Sequence, residues 1–241
     1  MATAPQNTHL LLTEFEKLFQ GVQYKHRVSN QGDKVAGFLY EDLFNLAASQ
    51  KFNSRVSTAG HVINKKNQAI GQATRRGDGT FGERVPASPP IQVAGLNVAL
   101  GDVATIEIGS EVKILAKAMI KQIDRVCTDL RNQAEQFRQH HPNCICVALV
   151  GINQANSYTG YEGSKEWPTD GRKYKHPIQE ADEAERHLNT DVRLAFDEMV
   201  VLRFKATNVA PYPFVWVNPK QTQLDYSASL LRIARLYDKR F

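Results

Sequence analysis

Apolar residues recur at helical spacing near the start of the chain, where Leu11, Leu12, Phe15, Leu18 and Phe19 predict one amphipathic helix. A second is predicted from about Asp33 to Gln50, with Val35, Phe38, Leu39, Leu43 and Leu46 on one face and Gly37, Glu41, Phe44 and Ala48 along another stripe. Weak strand signals at Arg55 to Ile63 then give way to Gly71, Gly77, Gly79 and Gly82, followed by Pro86, Pro89 and Pro90, which read as a long loop. Beyond it, 91–100, 103–108 and 111–115 have strand composition, and Gly109-Ser110 reads as a turn, so a meander of three short strands is expected. The strongest helix follows: Met119, Ile123, Val126, Leu130, Ala134 and Phe137 keep one face until His141-Pro142. The unbroken apolar run Cys144 to Ile152 is the mark of a strand covered on both faces. After an irregular stretch at 153–177, a helix is predicted near 179–196, strands at 199–206 and 214–217, and a closing helix at 225–237. This order predicts an α/β fold in one domain, residues 1–241.

Composition narrows the class. At 241 residues the chain can bury a sizeable core. No apolar run approaches the roughly 20 residues that span a bilayer, and Leu10-Leu11-Leu12 lacks the flanks of a signal peptide, so the expected location is cytoplasmic. The cysteines, Cys127, Cys144 and Cys146, are odd in number and lack zinc-knuckle spacing, which predicts buried thiols. A net charge of +5 and a pI near 9.1 favour a polyanionic partner.

The informative chemistry lies between Gly101 and Leu115. On a strand, Glu111 and Lys113 project from the same face, about 7 Å apart at their bases. Carboxylates that hold a divalent cation, with a lysine beside them, are a minimal set for cutting a phosphodiester: the cation lowers the pKa of a bound water and neutralises the phosphate, and the lysine orients that water. Two upstream acids compete as the partner of Glu111. A three-residue turn at 108–110 would pair Glu107 with Glu111 across a hairpin, leaving Asp102 about 13 to 17 Å further along. A tighter turn nearer Ala104 to Glu107, or a bulge, would return Asp102 to the site.

This segment resembles the PD-(D/E)XK nuclease superfamily, whose signature is an acid on one strand followed, across a turn, by acid-x-lysine on the next. Glu111 and Lys113 match the second half, Asp102 or Glu107 would supply the first, and Glu41 matches an acid often carried by the N-terminal helix. The resemblance extends over about 34–152, leaving 153–241 as a C-terminal extension. It implies a restriction-endonuclease-like mixed sheet flanked by helices. The implied activity is Mg²⁺-dependent endonuclease action on DNA, double-stranded by expectation, with Asp102, Glu107 and Glu111 as the metal-ligand set and Mn²⁺ able to substitute. The implied setting is restriction or antiviral defence, and a homodimer or higher homo-oligomer is the simple way to cut both strands.

Further residues have the composition of a nucleic-acid surface. Lys117, Lys121 and Gln122 open the helix after the motif, where related nucleases place polar groups. Arg75 and Arg76 lie in the glycine-rich stretch, and Arg172, Lys173 and Lys175, ahead of His176, lie among Tyr158, Tyr161, Trp167 and Tyr174. The competing readings are a non-catalytic nucleic-acid binder on a decayed nuclease fold, and an interaction subunit whose aromatic loop at 158–174 is a docking surface.

Overall fold

In the computed structural model, which describes residues 9–25, 31–65, 77–117, 119–161 and 177–241, a curled seven-stranded mixed sheet is flanked by helices on both faces. The strands are β1 (His61–Asn64), β2 (Gly79–Arg84), β3 (Leu100–Gly101), β4 (Val103–Leu115), β5 (Ile145–Asn153), β6 (Glu198–Ala206) and β7 (Phe214–Trp216), in the order β3-β1-β2-β4-β5-β6-β7. The helices are α1 (Leu10–Lys17), α2 (Gln31–Leu46), α3 (Gln50–Ser57), α4 (Met119–His140), α5 (Pro177–Asp191) and α6 (Pro219–Arg240).

Two apolar clusters sort these helices. Leu11, Phe15, Leu39, Tyr40, Phe52, Tyr226 and Tyr237 gather α1, α2, α3 and α6 on one face. Ile123, Leu130, Phe137, Ala184 and Leu188 place α4 and α5 on the other. The parallel pairs β4–β5 and β5–β6 require long crossovers, and α4 and α5 supply them. All nine residues of β5 are buried, as the apolar run predicts for a central strand. Asp42 fastens α1 to this core by accepting from the Leu10 and Leu11 amides at 2.8 and 2.9 Å and from the Tyr226 hydroxyl at 2.9 Å. Among the described residues, no helix is long and apolar enough to cross a membrane.

The structure corrects the expected meander. Ile108-Gly109-Ser110 is not a turn: β4 is one continuous strand of 13 residues, pairing with β2 through its first half and with β5 through its second. Glycine and serine sit there because packing requires small residues. A Cβ on Gly109 would lie 2.6 Å from the Phe137 ring, and Ser110 Oγ lies 3.2 Å from the Tyr40 hydroxyl. The expected strand at 91–100 is mostly irregular, contributing a bridge at Ile91 and the two residues of β3. The strand signal near Arg55 belongs to α3, whose Ser49 cap accepts from the Phe52 amide at 3.0 Å, and β1 begins only at His61.

Candidate active site

The sheet opens where β2 begins. Gly79 is level with Ser110, and the ladder runs from there toward the other end of β4, so residues 111–115 pair with β5 alone. The Val112 amide would face an empty ladder position. Asp78, immediately before β2, fills it: its Oδ2 accepts from Val112 N–H at 2.8 Å. That bond holds Asp78 one residue along β4 from Glu111.

Glycines on each side of Asp78 allow this approach. A Cβ on Gly77 would lie 2.7 Å from the Phe137 ring, and one on Gly79 would lie 2.5 Å from Ser110 Oγ and 2.8 Å from Ala36. Across the cleft, the absent side chain of Gly32 leaves room for the Asp78 carboxylate, which lies against the first turn of α2. The positive end of the helix dipole favours an anion there.

Glu111 and Lys113 lie on the α4 face of β4. Their neighbours on that face, Gly109 and Leu115, pack toward Phe137 and the α4 cluster, whereas Ile108, Ser110 and Val112 face the α2 side. Lys113 Nζ donates to Glu111 Oε1 at 2.5 Å. Asp78 and Lys113 share a cleft of about 290 Å³ with Gln31, Gln122 and Arg125. Gln122 donates to the Lys117 carbonyl at 2.5 Å, Lys121 is exposed on α4, and the Glu180 carboxylate accepts from the Ile120 amide at 3.2 Å. The structure therefore brings Glu111, Lys113 and Gln122 to one end of the sheet, with Lys117 at the start of α4 beside them.

Asp102 and Glu107 do not join them. Asp102 lies beyond the opposite end of β4, about nine residues or roughly 30 Å from Glu111. Its carboxylate accepts from Lys65 at 2.8 Å and Ser88 at 2.7 Å. Glu107 is turned away by a β-bulge. Phe81 pairs with Ile108 and Gly82 with Ile106, so Glu107 has no residue opposite it and its side chain swings to the face of α3 and α6. There it accepts from Arg55 at 3.2 Å and from the Tyr237 hydroxyl, with His61 at 3.1 Å. Burial pushes the Glu107 carboxyl up, but the His61 and Tyr237 hydrogen bonds and the Arg55 charge outweigh it and hold it below its ordinary range.

Glu41, also away from this end, is a structural anchor. Its buried carboxylate accepts from the Asn97 and Val98 amides at 3.0 and 2.7 Å, pinning the loop before β3 onto α2. Arg75, Arg76, Arg172, Lys173 and Lys175, with Trp167, Tyr174 and His176, lie outside the described residues.

Asp78 was missed by reading the sequence. Its signal was an acid between two glycines directly ahead of Thr80-Phe81, concealed because β2 and the excursion through β3 place thirty-two positions between it and Glu111. Among the described residues, no three of His, Cys, Asp and Glu gather as a metal cluster. At this end of the sheet Asp78 and Lys113 line the cleft, and the largely buried Glu111 carboxylate reaches it through its bond to Lys113. The hard carboxylate oxygens suit Mg²⁺, which is usually held by one or two carboxylates with water and substrate phosphate completing the shell.

No family model matches the chain, and comparison with curated proteins and with solved structures also gives no match.

Proposed function

We propose that the chain is a metal-dependent nuclease of the PD-(D/E)XK kind, hydrolysing phosphodiester bonds of DNA, with Asp78 as the first acid of the signature and Glu111 and Lys113 as its second half. One observation carries this reading: the Val112 amide holds Asp78 at the mouth of the β2–β4 opening, beside the Glu111–Lys113 pair. The order β1, β2, β4, α4, β5, with the acid-x-lysine strand feeding the crossover helix, also supports a restriction-endonuclease-like core within the mixed sheet.

A divalent cation held by Asp78 and Glu111 would supply a water of lowered pKa and neutralise a phosphate oxygen. The chain's own groups do the remainder. Lys113, bonded to Glu111 and positioned by the strand, places a cationic N–H at the attacking water or at the oxygen that gains charge. Gln122 and Arg125 line the same cleft and offer donors to the phosphate backbone.

The test is incubation of the purified full chain with supercoiled plasmid in Mg²⁺, in Mn²⁺ and in EDTA. Metal-dependent nicking or linearisation that is lost in Glu111→Gln supports the reading. DNA retention with no cutting in either metal would instead make the chain a non-catalytic binder.

A further inference from the structure

Asp78 lines two cavities of unlike character, which stand side by side as the two halves of a cleft. The half that contains Lys113 is lined mainly by polar groups, as described above. The other, a cavity of about 330 Å³, is lined by Phe38, Ile63, Val93 and Leu96, with Asp33, Lys34 and Lys65 at its polar margin. Its volume falls within the range of small-molecule sites, about 300–1,000 Å³.

Gly37 also lines this cavity. It occupies the interior of α2, where glycine weakens a helix relative to alanine. Packing does not demand a glycine there, because a Cβ built on it meets no atom within 4 Å. The space a side chain would take is the cavity itself. On the opposite side, Val93 and Leu96 belong to the loop that Glu41 pins at Asn97 and Val98. The walls are thus set by a helix and an anchored loop.

A nucleotide has the same two-part character: an anionic phosphate and a flat base with apolar faces. Within a paired duplex the bases stay stacked, and a recessed apolar cavity beside the phosphate site would meet nothing that fits it. We infer that this half of the cleft receives the base of an unpaired nucleotide whose phosphodiester lies at Asp78 and Glu111. The preferred substrate is then DNA with a bulged or flipped nucleotide, or a single strand. Phe38 offers an aromatic face to the base and Lys34 a cation to the flanking backbone, while Lys65 is held by Asp102. Stacking of this kind tolerates every base, so weak sequence preference at that nucleotide is expected. The inference rests on the nuclease reading for the position of the phosphate.

Binding and cutting are tested separately. In EDTA, fluorescence anisotropy of the full chain is measured on three labelled duplexes that differ at one internal position: fully paired, carrying one bulged nucleotide, and carrying the same bulge without its base. The bulged base is expected to bind about 10-fold more tightly than the abasic bulge. Two variants fill the cavity: Gly37→Leu from the helix and Leu96→Trp from the loop. Each should erase that difference while retaining the abasic affinity, with unfolding temperatures confirming that the variants are folded. Equal affinity of the parent for the two bulges overturns the inference, as does a preference that survives both filled variants. The same duplexes in Mg²⁺ report on the nuclease reading. Base preference without cutting refutes the nuclease and keeps the pocket, cutting without base preference does the reverse, and failure to bind any duplex overturns both.

Discussion

The Val112 amide donates to the Asp78 carboxylate at 2.8 Å, tying the segment before β2 to the strand that carries Glu111 and Lys113. This bond forms where the β2–β4 ladder ends, so an unpaired ladder position on β4 also fixes an acid at the cleft. Asp78→Asn keeps an acceptor for Val112 while removing the charge. It should lower Mg²⁺-dependent plasmid nicking by about 10²-fold or more, as should Glu111→Gln and Lys113→Met. Asp102→Asn, altered at the far end of β4, should nick plasmid near the parent's rate. Loss of activity in Asp102→Asn with retention in Asp78→Asn would return the site to the other end of the strand.

Much of the frame was legible because periodicity reports burial directly. The α4 stripe and the apolar run of β5 announce a crossover helix and a central strand, and Glu111-x-Lys113 lies where those two elements meet. The partner acid was not legible. Register across a sheet depends on where each strand begins, and Gly109-Ser110 reads as a turn unless Phe137 and Tyr40 are known to press on it from opposite faces. Glu107 failed as a partner for a related reason, since one bulge reversed the face of its side chain.

Glu41 is predicted to shape the cleft without holding metal. Its carboxylate satisfies the Asn97 and Val98 amides and the Asn97 side chain, at 2.7 to 3.2 Å. Glu41→Ala should cost about 1–3 kcal/mol, the usual penalty for leaving such donors without their acceptor. Urea denaturation checks the magnitude. A Mg²⁺ titration of plasmid nicking checks the role: the half-saturating concentration should stay at the parent's value, whereas a large rise would make Glu41 a ligand.

Glu107 should carry acid sensitivity. Its folded carboxyl lies below the ordinary value of 4.5, so the stability it contributes is fully present above that value and is lost as pH falls through the lower folded value. Asp42 works in the opposite direction, because burial raises its carboxyl despite the Leu11, Leu10 and Tyr226 hydrogen bonds, so its folded form is favoured by protonation as pH falls. Glu107→Gln should destabilise the fold at pH 7 by about 1–3 kcal/mol through weakened bonds to Arg55, His61 and Tyr237. The gap between parent and variant should narrow as urea denaturation is repeated below pH 4.5, and a gap constant with pH would show that Glu107 is not held below its ordinary range.

Gly82 determines whether the bulge can form, and with it the orientation of Glu107. A Cβ at this position would lie 1.8 Å from the Thr105 carbonyl oxygen and 3.0 Å from the Glu107 amide nitrogen. Both are backbone atoms, which cannot swing aside like the tip of a side chain. Gly82→Ala must therefore push β2 away from β4 or abolish the bulge, and abolishing it would shift Glu107 out of the Arg55, His61 and Tyr237 cluster. The expected cost is about 3 kcal/mol or more, at the upper end for overpacking. Gly37→Ala, where a Cβ meets open space, should instead stabilise the chain by about 0.5–1 kcal/mol through helix propensity. Thermal unfolding of the two variants beside the parent should shift in opposite directions. A Gly82→Ala protein as stable as the parent would mean that the β2–β4 register, and the placement of Asp78 that depends on it, is different from that described.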